Sequence, residues 1–360
     1  MRLVGCFASN YHEGLLCQGC LNLDRPVSCC LLVGAKHPPQ HVLILVDKLQ
    51  LCFIVVMNQL FLSTENQMKT PSVHNTYTLQ GALGSSVLHA NLPAKEYHSD
   101  ITVQSCSLLK PMLLSPAHYK SQFLERHTSS VAKDLGTLIH CLVLEPGKFS
   151  QEFVVYHGEK DGRVAEFKTF CHQNPNRMVI DDVAFGAARR MSNKILETVV
   201  RGRPFGDYVA EGIPEATIYY TDPSTNVRCR TRIDLLHPEI TFDLKTTAYP
   251  ERDAWLRHGL SLNYDMQAYM YSLAVSLFYG EPSPRPFIFV VGESTPPHSV
   301  SRFTAGETYI ENGGRKYKEA LSGFAACSSV NHWPDLGREE VIEVDHWQAS
   351  RPTSAWREAL

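Results

Sequence analysis

The residues able to do chemistry cluster at 228–247, RCRTRIDLLHPEITFDLKTT. Two strand-like runs flank the turn-prone His237-Pro238-Glu239. Alternate side chains of a strand share a face. Asp243 and Lys245 therefore point one way, and Phe242 and Leu244 the other. In the first run Arg228, Arg230, Arg232 and Asp234 share a face, opposite Cys229, Ile233 and Leu235. If the runs pair as a hairpin, Asp234, Asp243 and Lys245 meet at one end of one sheet face. Two carboxylates hold a hard cation such as Mg²⁺ through oxygen. The cation polarises a phosphodiester, and the lysine positions water or screens charge. Asp-x-Lys alone is common on strands and usually marks a solvated face. The upstream Asp234 adds weight, and the flanking sequence adds more.

Three further elements carry candidate residues. His140 lies in VAKDLGTLIHCLVLE (131–145), which reads as a largely buried helix closed by Pro146-Gly147. Alone, a histidine so placed is more often a core residue than a ligand, although histidine is a common metal ligand. Glu215 opens the run EATIYYT (215–221) and could add a carboxylate. Gln267 and Tyr271 are four apart on a helical stretch, 264–279, and so share a face. They suit a phosphate, a metal-bound water or a base edge, or simply a polar helix edge.

The elements that must position these residues follow from pattern. The runs 215–221, 227–236 and 240–246 read as an antiparallel meander with turns at Asp222-Pro223-Ser224 and His237-Pro238. Helical periodicity marks 161–170, 181–200, 251–259, 264–279 and 306–326. In 181–200, Val183, Ala187, Met191 and Ile195 form the apolar stripe. Ser115-Pro116 is a helix start, with a serine cap and proline at the first position. Strands are expected at 286–293 and 299–303, and Trp333 to Ala349 reads as a closing tail. No repeat or low-complexity tract interrupts the chain.

Composition sets the frame. The chain has 360 residues, 44% of them hydrophobic, enough for a sizeable α/β core. Net charge is only −3, so any nucleic-acid surface must come from clustered cations. The eleven cysteines are odd in number and scattered, which fits a reducing cytoplasm better than a disulfide framework. Six of them fall within the first 52 residues, but the spacing of Cys17, Cys20, Cys29 and Cys30 suits zinc poorly. The apolar run 41–62 is interrupted by Asp47 and Lys48, so a buried helix or strand pair is expected rather than a membrane span. A start at Met57 or Met68 is an alternative for this region. Residues 63–90 are polar and turn-rich and read as a linker. The expected organisation is an extension over 1–90, possessing none of the chemical motifs, a domain over 91–350 and a tail over 351–360.

The stretch from about 92 to 349 resembles the exonuclease VIII (RecE-type) group of PD-(D/E)xK nucleases of phages and prophages. The resemblance is carried, in order, by LPAKEYHSD (92–100), SPAHYKSQFLE (115–125), GTLIHCLVLEPGKF (136–149), EATIYYTDP (215–223), CRTRIDLLHP (229–238), FDLKTT (242–247) and QAYMY (267–271). As a set these motifs are specific, although no single one is. The resemblance implies an α/β fold, a mixed central sheet flanked by helices. It implies that His140, Asp234 and Asp243, with the Leu244 carbonyl, hold Mg²⁺ or Mn²⁺, and that Lys245 is the catalytic lysine. Glu215 matches the acid that opens the sheet motif, and Gln267 and Tyr271 match a substrate-contact pair, with Arg232 beside them. It further implies a 5′→3′ exonuclease on linear duplex DNA ends, a ring-like homo-oligomer and a RecT-type single-strand annealing partner, with no membrane role. A four-cysteine iron–sulfur cluster of the kind found elsewhere in that superfamily is not expected, since only Cys327 follows the sheet. Two rivals stay open: an endonuclease or nickase on the same core, and a non-catalytic DNA-binding module.

Overall fold

A computed structural model describes residues 77–82, 84, 86–124, 131–281, 284–337, 341 and 343. The amino-terminal cysteine cluster, the apolar run 41–62 and the tail 351–360 lie outside the described residues. Among the described residues, no helix is long and apolar enough to cross a membrane.

The chain enters with two strands, β1 (Tyr77–Gln80) and β2 (Ser86–Ala90), and three short helices, α1 (Ala94–Ser99), α2 (Cys106–Leu109) and α3 (Pro116–Ser121). Helix α4 (Val131–Leu144) and the single turn α5 (Phe149–Glu152) follow. Next come β3 (Phe153–Tyr156), α6 (Ala165–Gln173), β4 (Met178–Asp181), α7 (Asp182–Glu197), the two-residue strands β5 (Val199–Val200) and β6 (Arg203–Pro204), and α8 (Phe205–Glu211). The expected meander is β7 (Ile213–Thr221), β8 (Arg228–Leu236) and β9 (Thr241–Thr247). The chain continues through α9 (Arg252–Ser261), α10 (Tyr264–Tyr279), β10 (Phe287–Glu293), β11 (Val300–Thr304) and α11 (Glu307–Val330).

Seven strands form one mixed sheet in the order β1-β2-β7-β8-β9-β10-β11. All neighbours are antiparallel except β9 and β10, which run parallel. A parallel pair needs a crossover, and α9 with α10 supplies it. The central strands are buried on both faces. In β10, Phe287, Phe289 and Val291 enter the core under α10 and α11, while Ile288 and Val290 enter the core with α4 and α7. In β9, Phe242 and Leu244 take the α4 side. Burying either side chain contributes roughly 1.5–3 kcal/mol. That anchorage leaves Asp243 and Lys245 facing α10.

Local rules fix the helices. Ser115 caps α3 by accepting from the His118 amide, with Pro116 in the first turn as its sequence demands. Asp181 caps α7 through the Ala184 amide. The buried stripe of α7 is Ala188, Met191, Ser192 and Ile195. Val183, expected on that stripe, is 81% exposed, because the buried face runs through Ala188, Met191 and Ile195 and leaves Val183 to one side, while Phe185 of the same turn packs on the core. Helix α6 starts at Ala165 rather than 161, because Asp161 accepts from the amide and guanidinium of Arg163 and holds a turn there. The reading of 63–90 as a linker is corrected for 77–90: β1 and β2 form a hairpin, and β2 pairs with β7 from Ser86↔Tyr220 to His89↔Thr217. Leu88 and Ala90 alternate into the core, so the sheet begins before residue 91.

Candidate active site

The register of the meander places three carboxylates in one row across the sheet. Between β8 and β9 the pairs are Leu236↔Thr241 and Leu235↔Phe242, and pairing stops there. The next pair in that register would be Asp234 opposite Asp243. Between β7 and β8 the pairs Pro214↔Leu235 and Ala216↔Ile233 are present, and the pair between them, Glu215 with Asp234, is absent. Like charges directly opposite each other destabilise a sheet. Both ladders break at this row, and Glu215 has a left-handed backbone, φ +50°. For a non-glycine residue that conformation costs about 1–3 kcal/mol, strain of the kind concentrated at functional sites.

Side chains replace the lost ladder bonds. The Leu244 amide donates to Asp234 Oδ2 at 2.7 Å. The Leu244 carbonyl accepts from His140 Nε2 at 2.8 Å. His140 reaches this point because α4 packs along β9. Its Nε2 lies 3.8 Å from Asp234 Oδ2, and its Nδ1 lies 3.7 Å from Glu215 Oε1. Asp243 is fully buried; its carboxylate pairs with the Lys245 ammonium and accepts at Oδ1 from Gln267 Nε2 at 2.7 Å. The Lys245 ammonium lies 5.1 Å from the centre of the Tyr264 ring, at the start of α10. Arg232 pairs through Nε with Glu215 and donates from Nη1 to the Leu92 carbonyl at 2.8 Å. Tyr271, one turn beyond Gln267, is buried and lines the same cleft of about 210 Å³ as Glu215, Arg232, Asp234 and Gln267.

Charge follows geometry. Burial, and then the negative charge of Asp243, push the Asp234 carboxyl up to about 7. Burial alone would lower His140, but Asp234 and Glu215 carry it up to about 9. Burial would raise Glu215, but the bond to His140 and the charge of Arg232 hold it at about 2. Lys245 is raised despite its burial, because Asp243 and Asp234 face it. The cluster is thus short of positive charge and holds a proton that a cation would displace.

The residues present suit a divalent metal. Donor atoms of His140, Glu215 and Asp234 all lie within 4.8 Å of one another, the one such group found among the described residues. The two carboxylates suit Mg²⁺ or Mn²⁺ through oxygen, and the imidazole is accepted more readily by Mn²⁺ than by Mg²⁺. Asp243 stands outside that group, held by Lys245 and Gln267, and the Leu244 carbonyl is occupied by His140.

The arginines that share a face of β8 differ in exposure: Arg228 is exposed, Arg232 half-buried and Arg230 enclosed. Arg230 is 2% exposed; its guanidinium lies over the Tyr97 ring at 4.7 Å and donates to the Asp100 carbonyl. The reason is the isolated bridge of Gln104 to Cys229, which lays the 100–105 segment over that strand end. Tyr97, His98 and Lys110 also line the cleft. Tyr97 and His98 fall in the LPAKEYHSD stretch without being singled out, and Lys110 falls in no motif; no spacing links any of them to the meander, and only tertiary packing brings them there. Burial and the nearby Arg232 and Arg230 keep the pKa of His98 below its usual value.

No curated protein matches the chain in sequence. Among solved structures it is similar to a protein from Eubacterium rectale named as a candidate exonuclease. The two share 11% identity and a TM-score of 0.48, over 72% of this chain and 98% of that one. The model of a family described as a PDDEXK-like domain of unknown function (DUF3799) matches residues 105–343. That match spans well over half the chain and takes in His140, the whole meander and α10, so the protein belongs to this PDDEXK-like family.

Proposed function

We propose that the protein is a metal-dependent deoxyribonuclease that degrades linear duplex DNA from its 5′ ends and leaves 3′ single strands for recombination. The observation that carries this reading is the convergence of His140, Glu215 and Asp234 beside the Asp243–Lys245 pair, where two ladders part. Membership of a PDDEXK-like family supports it. The resemblance of the motif series to exonuclease VIII supplies the polarity, the ring-like homo-oligomer and the annealing partner, and the scattered, odd-numbered cysteines supply the cytoplasmic setting.

His140, Asp234 and Glu215 would hold Mg²⁺ or Mn²⁺, with Asp243 and the Leu244 carbonyl at the same opening. When bound, such an ion supplies Lewis-acid polarisation of the phosphate and offsets the developing charge. The protein's own groups do the rest. Lys245 keeps its proton, so its ammonium donates to the attacking water or to a phosphate oxygen. Gln267 fixes the orientation of Asp243, which in turn holds Lys245. Arg232 and Glu215 brace each other, keeping one carboxylate ionised at the cleft wall. Water oxygen bonds to phosphorus as its proton passes to solvent, the bond to the 3′ oxygen breaks in line and that oxygen takes a proton from solvent, and the products carry a 5′ phosphate and a 3′ hydroxyl.

The test is incubation with linear and covalently closed duplex in Mg²⁺ or in EDTA. Linear DNA labelled at a 5′ end loses that label first, in Mg²⁺ alone, and closed circles survive. Rapid cutting of closed circles would make the enzyme an endonuclease. DNA binding without cleavage in Mg²⁺ would make it a non-catalytic module.

A further inference from the structure

We infer that Lys110 binds a backbone phosphate of the substrate strand, next to the one being hydrolysed. This rests on the nuclease reading for the identity of the ligand. Two cationic side chains of the lysine and arginine type line the cleft, Arg232 and Lys110. Arg232 is committed to Glu215 and the Leu92 carbonyl. Lys245, just behind, is committed to Asp243. Among the described residues no carboxylate pairs with Lys110. Its ammonium lies 5.3 Å from the centre of the Tyr264 ring, and Lys245 lies 5.1 Å from the same centre.

The surroundings of Lys110 suit a phosphate. Ser105 and Ser107 line the cleft with it, their hydroxyls 3.0 Å apart. Ser107 is exposed, so its hydroxyl can turn to an incoming oxygen. Lys110 opens a 3₁₀ turn whose next residue is Pro111, so its backbone position is fixed while its side chain stays half-buried. None of these residues belongs to the carboxylate row. The segment therefore adds a strand-holding contact that the hydrolytic group lacks.

The experiment titrates a short labelled linear duplex in Ca²⁺ against full-length wild type, Lys110→Ala, Lys110→Gln and Lys110→Arg across a series of salt concentrations. One lost phosphate contact lowers the slope of log K against log salt by about 0.7–0.9. We expect that loss in Lys110→Ala and Lys110→Gln, and wild-type slope in Lys110→Arg. Steady-state cleavage in Mg²⁺ should show KM raised with kcat nearly unchanged. Affinity that falls with the slope unchanged would mean a structural role and would overturn the proposal, as would wild-type affinity in Lys110→Ala. Binding with the expected slope change but no cleavage would sink the nuclease reading and leave this one standing. A wild-type protein that binds no DNA would overturn both.

Discussion

Two buried aspartates near the two ends of strand β8 have opposite fates. Asp222, in the turn that precedes it, is 3% exposed. Its Oδ1 accepts from the amides and hydroxyls of Ser224 and Thr225, and its Oδ2 accepts from the Tyr317 hydroxyl at 2.9 Å. Burial would raise this carboxyl, yet those bonds hold it below the usual range. Asp234, near the other end, is 8% exposed and accepts from one amide, that of Leu244. It faces His140, Glu215 and Asp243 and is pushed up to about 7. Burial is similar at both positions, and the supply of donors is not. A carboxylate surrounded by donors finishes a turn; one surrounded by carboxylates needs a cation from outside.

The largest effect should come from the cleft. Asp243→Ala removes the carboxylate that holds Lys245, and activity should fall below detection. Lys245→Ala keeps the carboxylates but loses the ammonium at the reacting phosphate, a loss of about 10²–10³-fold in kcat by analogy with a single transition-state donor. In EDTA Asp243→Ala should melt near wild type, because it also relieves the repulsion with Asp234, whereas Lys245→Ala should melt lower, because it leaves Asp243 buried beside Asp234 with one cation fewer. Single-turnover cleavage alongside thermal melting checks this. Wild-type cleavage by Lys245→Ala would make the cleft as structural as the Asp222 turn.

Metal and pH sharpen the contrast next. Asp234 and His140 both have folded pKa values above their ordinary ones, at about 7 and about 9. The stability each contributes in its protonated form is complete below its unfolded value, about 4 for Asp and about 6.5 for His. It is lost as pH rises through about 7 and about 9. Metal-free protein should therefore melt at lower temperature as pH climbs from 4 towards 9. Mg²⁺ binds the deprotonated groups, so its affinity should rise over the same window. At 100 times its Kd it should add about 2.7 kcal/mol. Melting scans with EDTA or Mg²⁺ at each pH read both trends. Asp234→Asn should flatten them, and a metal-induced shift that persists in this variant would locate the ion elsewhere.

The Asp222 turn should show the reverse profile. Asp222→Asn keeps the shape but replaces one acceptor oxygen with a donor group. The hydroxyls of Ser224, Thr225 and Tyr317 then lose the charged acceptor, at a cost of about 1–3 kcal/mol. For a domain of this size that lowers the melting temperature by several degrees. Turnover per folded molecule and its metal dependence should not change. A variant that melts normally but cleaves poorly would show that the turn serves the chemistry.

How much of this was legible follows the same division. The meander, Asp234, Asp243 and Lys245 were readable because strand alternation and short turns act within twenty residues. The placing of His140, Glu215, Gln267 and Tyr271 came from the motif series: His140 meets Leu244 across 104 residues and Gln267 meets Asp243 from a separate helix, and neither contact leaves a local pattern. The break in the two ladders was not legible, because a register states which residues oppose and not whether charge parts them. Nor was the enclosure of Arg230, which depends on a bridge from Gln104, or the hairpin at 77–90, whose polar residues masked the buried Leu88 and Ala90. Lys110 has no motif at all.

The smallest effect tests where the domain begins. The turn end of β7 is flanked by β2, with Ser86 opposite Tyr220 and Val87 opposite Tyr219. Tyr220 in turn bonds to Tyr317, whose hydroxyl also donates to Asp222. The other side of β2 is covered by β1, from Tyr77↔Ala90 to Gln80↔Val87. A chain starting at Gly81 therefore bares the backbone of β2 beside the Asp222 network and leaves the carboxylate row untouched. It should lose stability and tend to associate through the new edge, while each folded molecule cleaves normally. A chain starting at Thr70 keeps both strands, both aspartates and every contact described above. Its melting temperature, metal response and turnover should match those of the full chain. If the Thr70 start alone lowers turnover, residues 1–69 contribute to the cleft; if it alone lowers the melting temperature, they contribute to the sheet.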